Sequence, residues 1–403
     1  MLVTGVATSQ TATGTGNNST VGNTQTQSTT VAAGQTVSVN NVSGTTTAVT
    51  DATGNNLSGA ITSGTLNVTS TQSLTADVTT STTLNVVTNA GTATTLNTAS
   101  TGNTSDVTTV TGGGAVTGTL GQSIGAVNIL ATSTVNASGA QTGSLSTGTQ
   151  AIANSQSYAS DSAPVTVTTT QTSAAVTDAE DGGTLTYTPG TAAFSATAVA
   201  NNVSGTGVTG ASQTLTATQS STGARTQAGE FAYFGNAQSP QAATTASDNN
   251  ITLTNDSGTL NVVDTQTNTS YTRAQTELSS YEFGAAQASA YGVGNSVLAA
   301  NVGPSTSVNN TQTNSGGVQV ISDFTGNNGF DATSSATAMG NAATGFACSD
   351  CGGVISVTNS QTNTGGGVSA VNSIEIAGSN RSVTGSATAV GNTATFYVSK
   401  PKS

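Results

Sequence analysis

A Thr-Gln element returns through this chain at intervals too regular for chance, and that periodicity constrains the fold more than any other feature. Marking each element by its Gln gives Gln171, Gln219, Gln266, Gln312 and Gln361, spaced 48, 47, 46 and 49 residues apart. Extrapolation toward the N-terminus lands on Gln122, Gln72 and Gln25, in more degenerate surroundings. A second marker keeps the same beat. "ATAVAN", "ATAMGN" and "ATAVGN" end on Asn201, Asn341 and Asn392, and Asn55, Asn103, Asn154, Asn249 and Asn295 complete the series at steps of 46 to 51 residues. Repeats of this size mean that one supersecondary unit stacks on the next.

Stacking explains why amides recur. In a solenoid each coil pairs its strands with the coils above and below at about 4.8 Å, so equivalent Asn or Gln side chains can hydrogen-bond from rung to rung. It also explains why only 5% of residues are charged. Like charges at that separation repel by roughly 1 kcal/mol in water and about 3 to 4 kcal/mol at an effective dielectric of 20. The runs "TLNVTS", "VTVTTT", "NITLTN" and "VISVTN" alternate with the period of half-buried strands and are rich in β-branched residues. No segment reads as an amphipathic helix.

The expected fold is therefore all-β: an elongated β-solenoid (β-helix) with Asn, Gln and Thr ladders and a unit of about 48 residues. A fully extended unit spans about 160 Å, a long perimeter that favours two coils of about 24 residues per unit. The Gly before the marker Asn in "MGN" and "VGN" suggests a coil corner at positive φ. Residues 1–403 read as one repetitive domain, with more degenerate, aromatic-free repeats over 1–157, better-defined repeats over 158–398 and a short basic tail over 399–403.

Candidate chemistry is sparse. A net charge of −12 with five Lys and Arg in total argues against nucleic acid. The chain has no His to serve as a base and no convincing nucleophile constellation, so it reads as a non-enzyme with no cofactor. Paired carboxylates of a glycan-cleaving β-helix stay open. In "CSDC", Cys348 and Cys351 have no further Cys or His with which to bind zinc, and read as a structural disulfide in an oxidising compartment. "DAEDGG" at residues 178–183 lacks the spacing of a calcium loop and reads as a solvated insertion. All aromatics lie from Tyr158 onward; Phe231, Phe234 and Phe283 are assigned to the coil interior, Tyr233 and Tyr291 to an exposed polysaccharide-binding platform. No apolar run reaches the roughly 20 residues that cross a bilayer. Residues 1–30 lack the charged start and apolar centre of a secretory signal, so a signal was removed or the start is internal.

"SATAMGNAATGFACSDCGG", "VTNSQTNTGGGVSAV" and "SATAVGNTATFYV" resemble the holdfast anchoring proteins of stalked and related alphaproteobacteria, the D type in particular, most clearly over residues 190–400. That resemblance implies an outer-surface protein, exported with a secretion-pore partner, that works with other anchor proteins to fasten an adhesive polysaccharide to the outer membrane. End-to-end self-association into fibres fits the same picture. Rival readings are a curli-like functional amyloid, an adhesin passenger, an ice-binding protein hinted at by "TVTTTQT", and a carbohydrate-active enzyme.

Overall fold

The computed structural model describes residues 2–14, 18–109, 114–348, 353–378 and 380–399. Every regular element among them is a β-strand, and every strand pairing is parallel. The pairings join residues one repeat apart, from Arg225 with Tyr271 (46 positions) to Asn89 with Gln141 (52 positions). The chain is thus a parallel β-solenoid, as its periodicity implies. It makes one coil per repeat, however, and not two.

A single coil can hold so long a perimeter because it is flattened. In the unit that starts at Arg225, the strand Arg225–Asn255 runs outward over residues 225–236, bends, and returns over 241–255; the short strand Thr259–Asn268 then leads to Tyr271 and the next coil. The legs press on one another. Ala228 and Ala246 share one apolar cluster, Phe234 and Ala242 a second, and Ile251 joins Leu260 and Val262 in a third. In the following coil Thr276 Oγ1 donates to the Ser289 carbonyl across the two legs at 2.7 Å. Asn295 Nδ2 donates to the Thr313 carbonyl at 2.9 Å, tying the return leg to the short strand. There is no hollow to fill, so the perimeter argument for two coils does not apply.

The short strands that close each coil form an eight-stranded sheet, and the strands of the outward and return legs a thirteen-stranded one. Alternation sets what faces inward. In Val165–Ser173 (VTVTTTQTS), Val165, Val167, Thr169, Gln171 and Ser173 are buried and the intervening Thr residues are exposed. At the bend the interior is apolar: Phe194 meets Phe234 edge-on at 5.9 Å, and Phe283 meets Phe324 at 5.2 Å and 90°. In coils nearer the N-terminus Leu84 and Val135 fill the same cluster without aromatic rings. Phe231 sits at an odd-numbered position of its leg and is only partly buried, so it faces outward and not into the coil as its neighbours Phe234 and Phe283 do.

The return leg contains one break in alternation per coil. Ala198 and Ala200 point inward, then Asn201 and Val203, so the inward set changes phase between residues 200 and 201. A one-residue slip of this kind moves every later side chain to the opposite face. It recurs at Gly294–Asn295 and Gly340–Asn341, where both residues of each pair are buried. These glycines are not corners, because neither is among the glycines at positive φ. They are small for want of room: a β-carbon on Gly340 would lie 2.5 Å from the Gly391 carbonyl oxygen and 2.7 Å from Asn363 Oδ1.

Candidate functional site

The phase change aims the marker Asn into the coil, opposite the inward-facing Gln of the short strand. Two amide columns result. Asn55, Asn103, Asn154, Asn201, Asn249, Asn295, Asn341 and Asn392 are joined Nδ2 to Oδ1 at 2.7–2.9 Å, each donating to the coil on its C-terminal side. Gln361, Gln312, Gln266, Gln219, Gln171, Gln122, Gln72 and Gln25 are joined Nε2 to Oε1 at 2.7–2.9 Å in the opposite sense, each donating to the coil on its N-terminal side.

Each amide spends its second N–H on the backbone. Asn201 and Asn249 donate to the carbonyls of Ser220 and Thr267 on the short strand at 3.0 and 2.9 Å. Gln219 and Gln266 donate to those of Asn250 and Ser296 on the return leg at 3.1 and 2.9 Å. The columns therefore stitch the layers together as well as the coils. A third column, Asn268 to Asn314 to Asn363 at 3.0 and 2.8 Å, accounts for the final Asn of Thr-Gln-Thr-Asn. The element is architectural.

Sequence reasoning missed a set of buried carboxylates. On the outward leg Gln35, Thr82, Ser133, Asp181, Glu230, Thr276, Ser322 and Asn372 occupy one register position in successive coils. Most of that column is neutral, but Asp181 and Glu230 are acids in adjoining rungs, 2% and 0% exposed. Asp181 Oδ2 accepts from the Ser195 amide at 3.0 Å and from Thr147 Oγ1. Burial raises its carboxyl to about 7, against the pull of those bonds. Burial, and then the neighbouring Asp181, holds Glu230 well above the usual carboxylate range. Asp248 is raised by burial to about 6 although Ser221, Thr226 and Asn268 donate to it at 3.0, 2.6 and 2.9 Å. Burial lifts Asp264 to about 8. The sequence signal for Asp181 was "DAEDGG", which is strand and not a solvated insertion: it lies within Val176–Val208, with Asp178 and Asp181 buried.

Asp178 has a cation. Arg225 Nη2, one coil later, donates to Asp178 Oδ2 at 2.6 Å, with the Arg side chain about half exposed and the Asp 6% exposed. Arg225→Ala is expected to destabilise the fold by about 1–2 kcal/mol in denaturant titrations, because it leaves the carboxylate without its donor while solvent screens part of the loss.

The remaining candidates are dispersed. Tyr233 is 43% exposed on an outward leg and its hydroxyl donates to Glu277 Oε1 at 3.0 Å. Tyr291 is half-buried on a return leg. The two face out from opposite layers of the flattened coil and do not form one platform. Cys348 is buried at the end of Val318–Cys348, and its carbonyl accepts from the Gly353 amide at 2.8 Å. Cys351 lies outside the described residues. Among the described residues no group of three or more Cys, Asp or Glu is arranged to hold a metal ion.

A parallel solenoid whose interior is spent on continuous amide columns suits a long surface scaffold. The family model described as holdfast attachment protein D matches residues 40–317. The chain belongs to this family. Holdfast attachment and a cell-surface setting follow from that membership. The match reaches further toward the N-terminus than the 190–400 span of the sequence resemblance, and it ends before the "ATAMGN" and "ATAVGN" segments. No curated protein and no solved structure matches the chain.

Proposed function

We propose that this holdfast attachment protein is a non-enzymatic, load-transmitting anchor that fastens an adhesive polysaccharide to the outer membrane, together with other anchor proteins and a secretion-pore partner. The observation that carries the reading is the pair of amide columns running unbroken from Gln25 and Asn55 to Gln361 and Asn392. Added to the parallel backbone ladder, they spread an axial or shearing load over many bonds, and no coil can peel away without breaking two side-chain bonds to each neighbour. The non-enzymatic reading is supported by a chain without His and by Asp181, Glu230, Asp248 and Asp264 being packed in the coil interior, where no substrate reaches them. The net charge of −12 favours polymers that are neutral or carry amino groups. Every rung presents the same pattern of N–H and C=O groups along the axis, so a second copy would extend the ladder, which supports the fibre form of this reading. The Cys348–Cys351 disulfide belongs to the same proposal.

The test is holdfast retention. In cells that make a holdfast, deletion of this gene is expected to leave the polysaccharide secreted but shed under flow, and the wild-type gene to restore retention. Retention unchanged by the deletion would end the anchor reading.

A further inference from the structure

We propose that an open groove at the bend of the coils binds a linear glycan of neutral or amine-bearing pyranose units, laid along the solenoid axis. The choice of a glycan rests on the anchor reading above, whereas the placing of the site rests on the groove. It has a volume of about 470 Å³ and is lined by residues of four successive coils. Tyr187, Asn236, Glu282 and Asn328 occupy a single register position in those coils, one rung apart. At about 4.8 Å per rung the column is roughly 14 Å long. It offers one aromatic, two amides and one carboxylate in a line.

The other parts of the groove suit the same ligand. Tyr187 and Phe330 are 45% and 61% exposed, unusual for large rings with an apolar cluster close by, and they stand toward opposite ends of the groove. The Arg381 guanidinium lies 5.9 Å from the centre of the Phe330 ring and pairs with Asp331, which fixes the ring by one face. The floor is apolar: Phe283 is buried beneath the column, and a β-carbon on Gly329 would lie 2.2 Å from its ring. The wall at Tyr187 is pushed out by a register shift between Thr188 and Thr191, across Pro189, which has no N–H to continue the ladder. With its amide turned to donate, Asn236 Nδ2 lies 2.8 Å from Glu282 Oε2.

Aromatic faces for ring C–H surfaces, amides for hydroxyl or acetamido groups, and one carboxylate for an ammonium are the groups that recognise sugars. A compact small molecule would be left mostly in solvent by so open a site, since such ligands have most of their surface buried. A polyanion would meet Glu282 and a chain of net charge −12. An extended, uncharged or cationic polymer fits both constraints.

The experiment titrates purified full-length protein with three hexasaccharides: cellohexaose, N-acetylated chitohexaose and its de-acetylated form. The wild type is expected to bind at least one, with Tyr187→Ala and Phe330→Ala each weakening it about ten-fold at unchanged circular dichroism. Glu282→Gln is expected to remove selectively any preference for the de-acetylated chain, and Val263→Ala, exposed on a short strand outside the groove, to leave affinity unchanged. Should an alanine variant fold poorly, the Glu282→Gln preference decides, because it changes no volume. Binding of none of the three by the wild type, or affinity unchanged in the Tyr187→Ala/Phe330→Ala double variant, overturns the groove assignment. Holdfast retention in the gene-deletion test stands or falls independently of that result.

Discussion

Asn249→Ala is expected to destabilise the solenoid by on the order of 3–5 kcal/mol, more than a typical surface substitution by a wide margin. The side chain takes part in three interactions at once. It accepts from Asn201 Nδ2 and donates to Asn295 Oδ1, both at 2.8 Å, and it donates to the Thr267 carbonyl at 2.9 Å. Asn201 and Asn295 are fully buried and Thr267 is half-buried, so truncation leaves one donor and one acceptor away from water and a third group only partly hydrated, at about 1–3 kcal/mol for each buried group. The neighbouring Asn250 is the control. It makes a similar column bond to Asn202 at 2.8 Å, but on the half-exposed outer face, where water can take over. Asn250→Ala should therefore change stability by less than about 1 kcal/mol. Because coils in a repeat protein interact mainly with their neighbours, the Asn249 variant should also lose cooperativity, with urea unfolding dividing into two transitions. Equal, small effects at both positions would mean that the inner column is not what holds the coils in register.

The second large effect is on pH. Asp181, Asp248 and Asp264 have folded-state values of about 7, 6 and 8 against 3.8 in the unfolded chain, and burial holds Glu230 well above its ordinary 4.5. A group whose folded value is raised holds its proton more tightly in the folded state. Its stabilising contribution is complete at acid pH and is lost as pH rises from about 4 through 6 to 8. For Asp181 alone the difference corresponds to on the order of 4 kcal/mol. The melting temperature should therefore fall by roughly 5–10 °C between pH 4.5 and pH 8.5, the reverse of proteins held by exposed ion pairs. The double variant Asp181→Asn/Glu230→Gln should remove the part of that slope that these two acids contribute, leave the part due to Asp248 and Asp264, and melt higher than the wild type at pH 8.5. A melting temperature that rises with pH in the wild type would show that these acids are solvated in the folded protein.

Much of the architecture was legible because stacked coils force equivalent positions to carry compatible side chains. Gln171, Gln219, Gln266, Gln312 and Gln361 repeat because each must both donate to and accept from its counterpart, a demand only an amide of that length meets at that depth. Coil size was not legible. Periodicity gives the spacing between rungs, whereas the flattening that lets one coil hold 48 residues depends on contacts such as Thr276 to Ser289 within a single unit. The acids were hidden for a related reason. Asp181 and Glu230 appear in different local contexts, "DAEDGG" and "AGEFAY", and only the register shows that they occupy successive rungs of an otherwise neutral column. The groove was equally invisible, since Tyr187, Asn236, Glu282 and Asn328 share a line but not a residue type.

The opposed sense of the two amide columns has a consequence for length. A row of side-chain amides all pointing one way would sum into an axial moment, as peptide units do along an α-helix, with opposite partial charges building at the two ends. Here the Asn row points toward the C-terminal coil and the Gln row toward the N-terminal one, each joining eight residues. The moments of these two rows cancel coil by coil, so adding or deleting a repeat that carries both leaves their sum unchanged. Rods of different reach can therefore be made from this one unit without an electrostatic penalty from the two long rows that grows with their length.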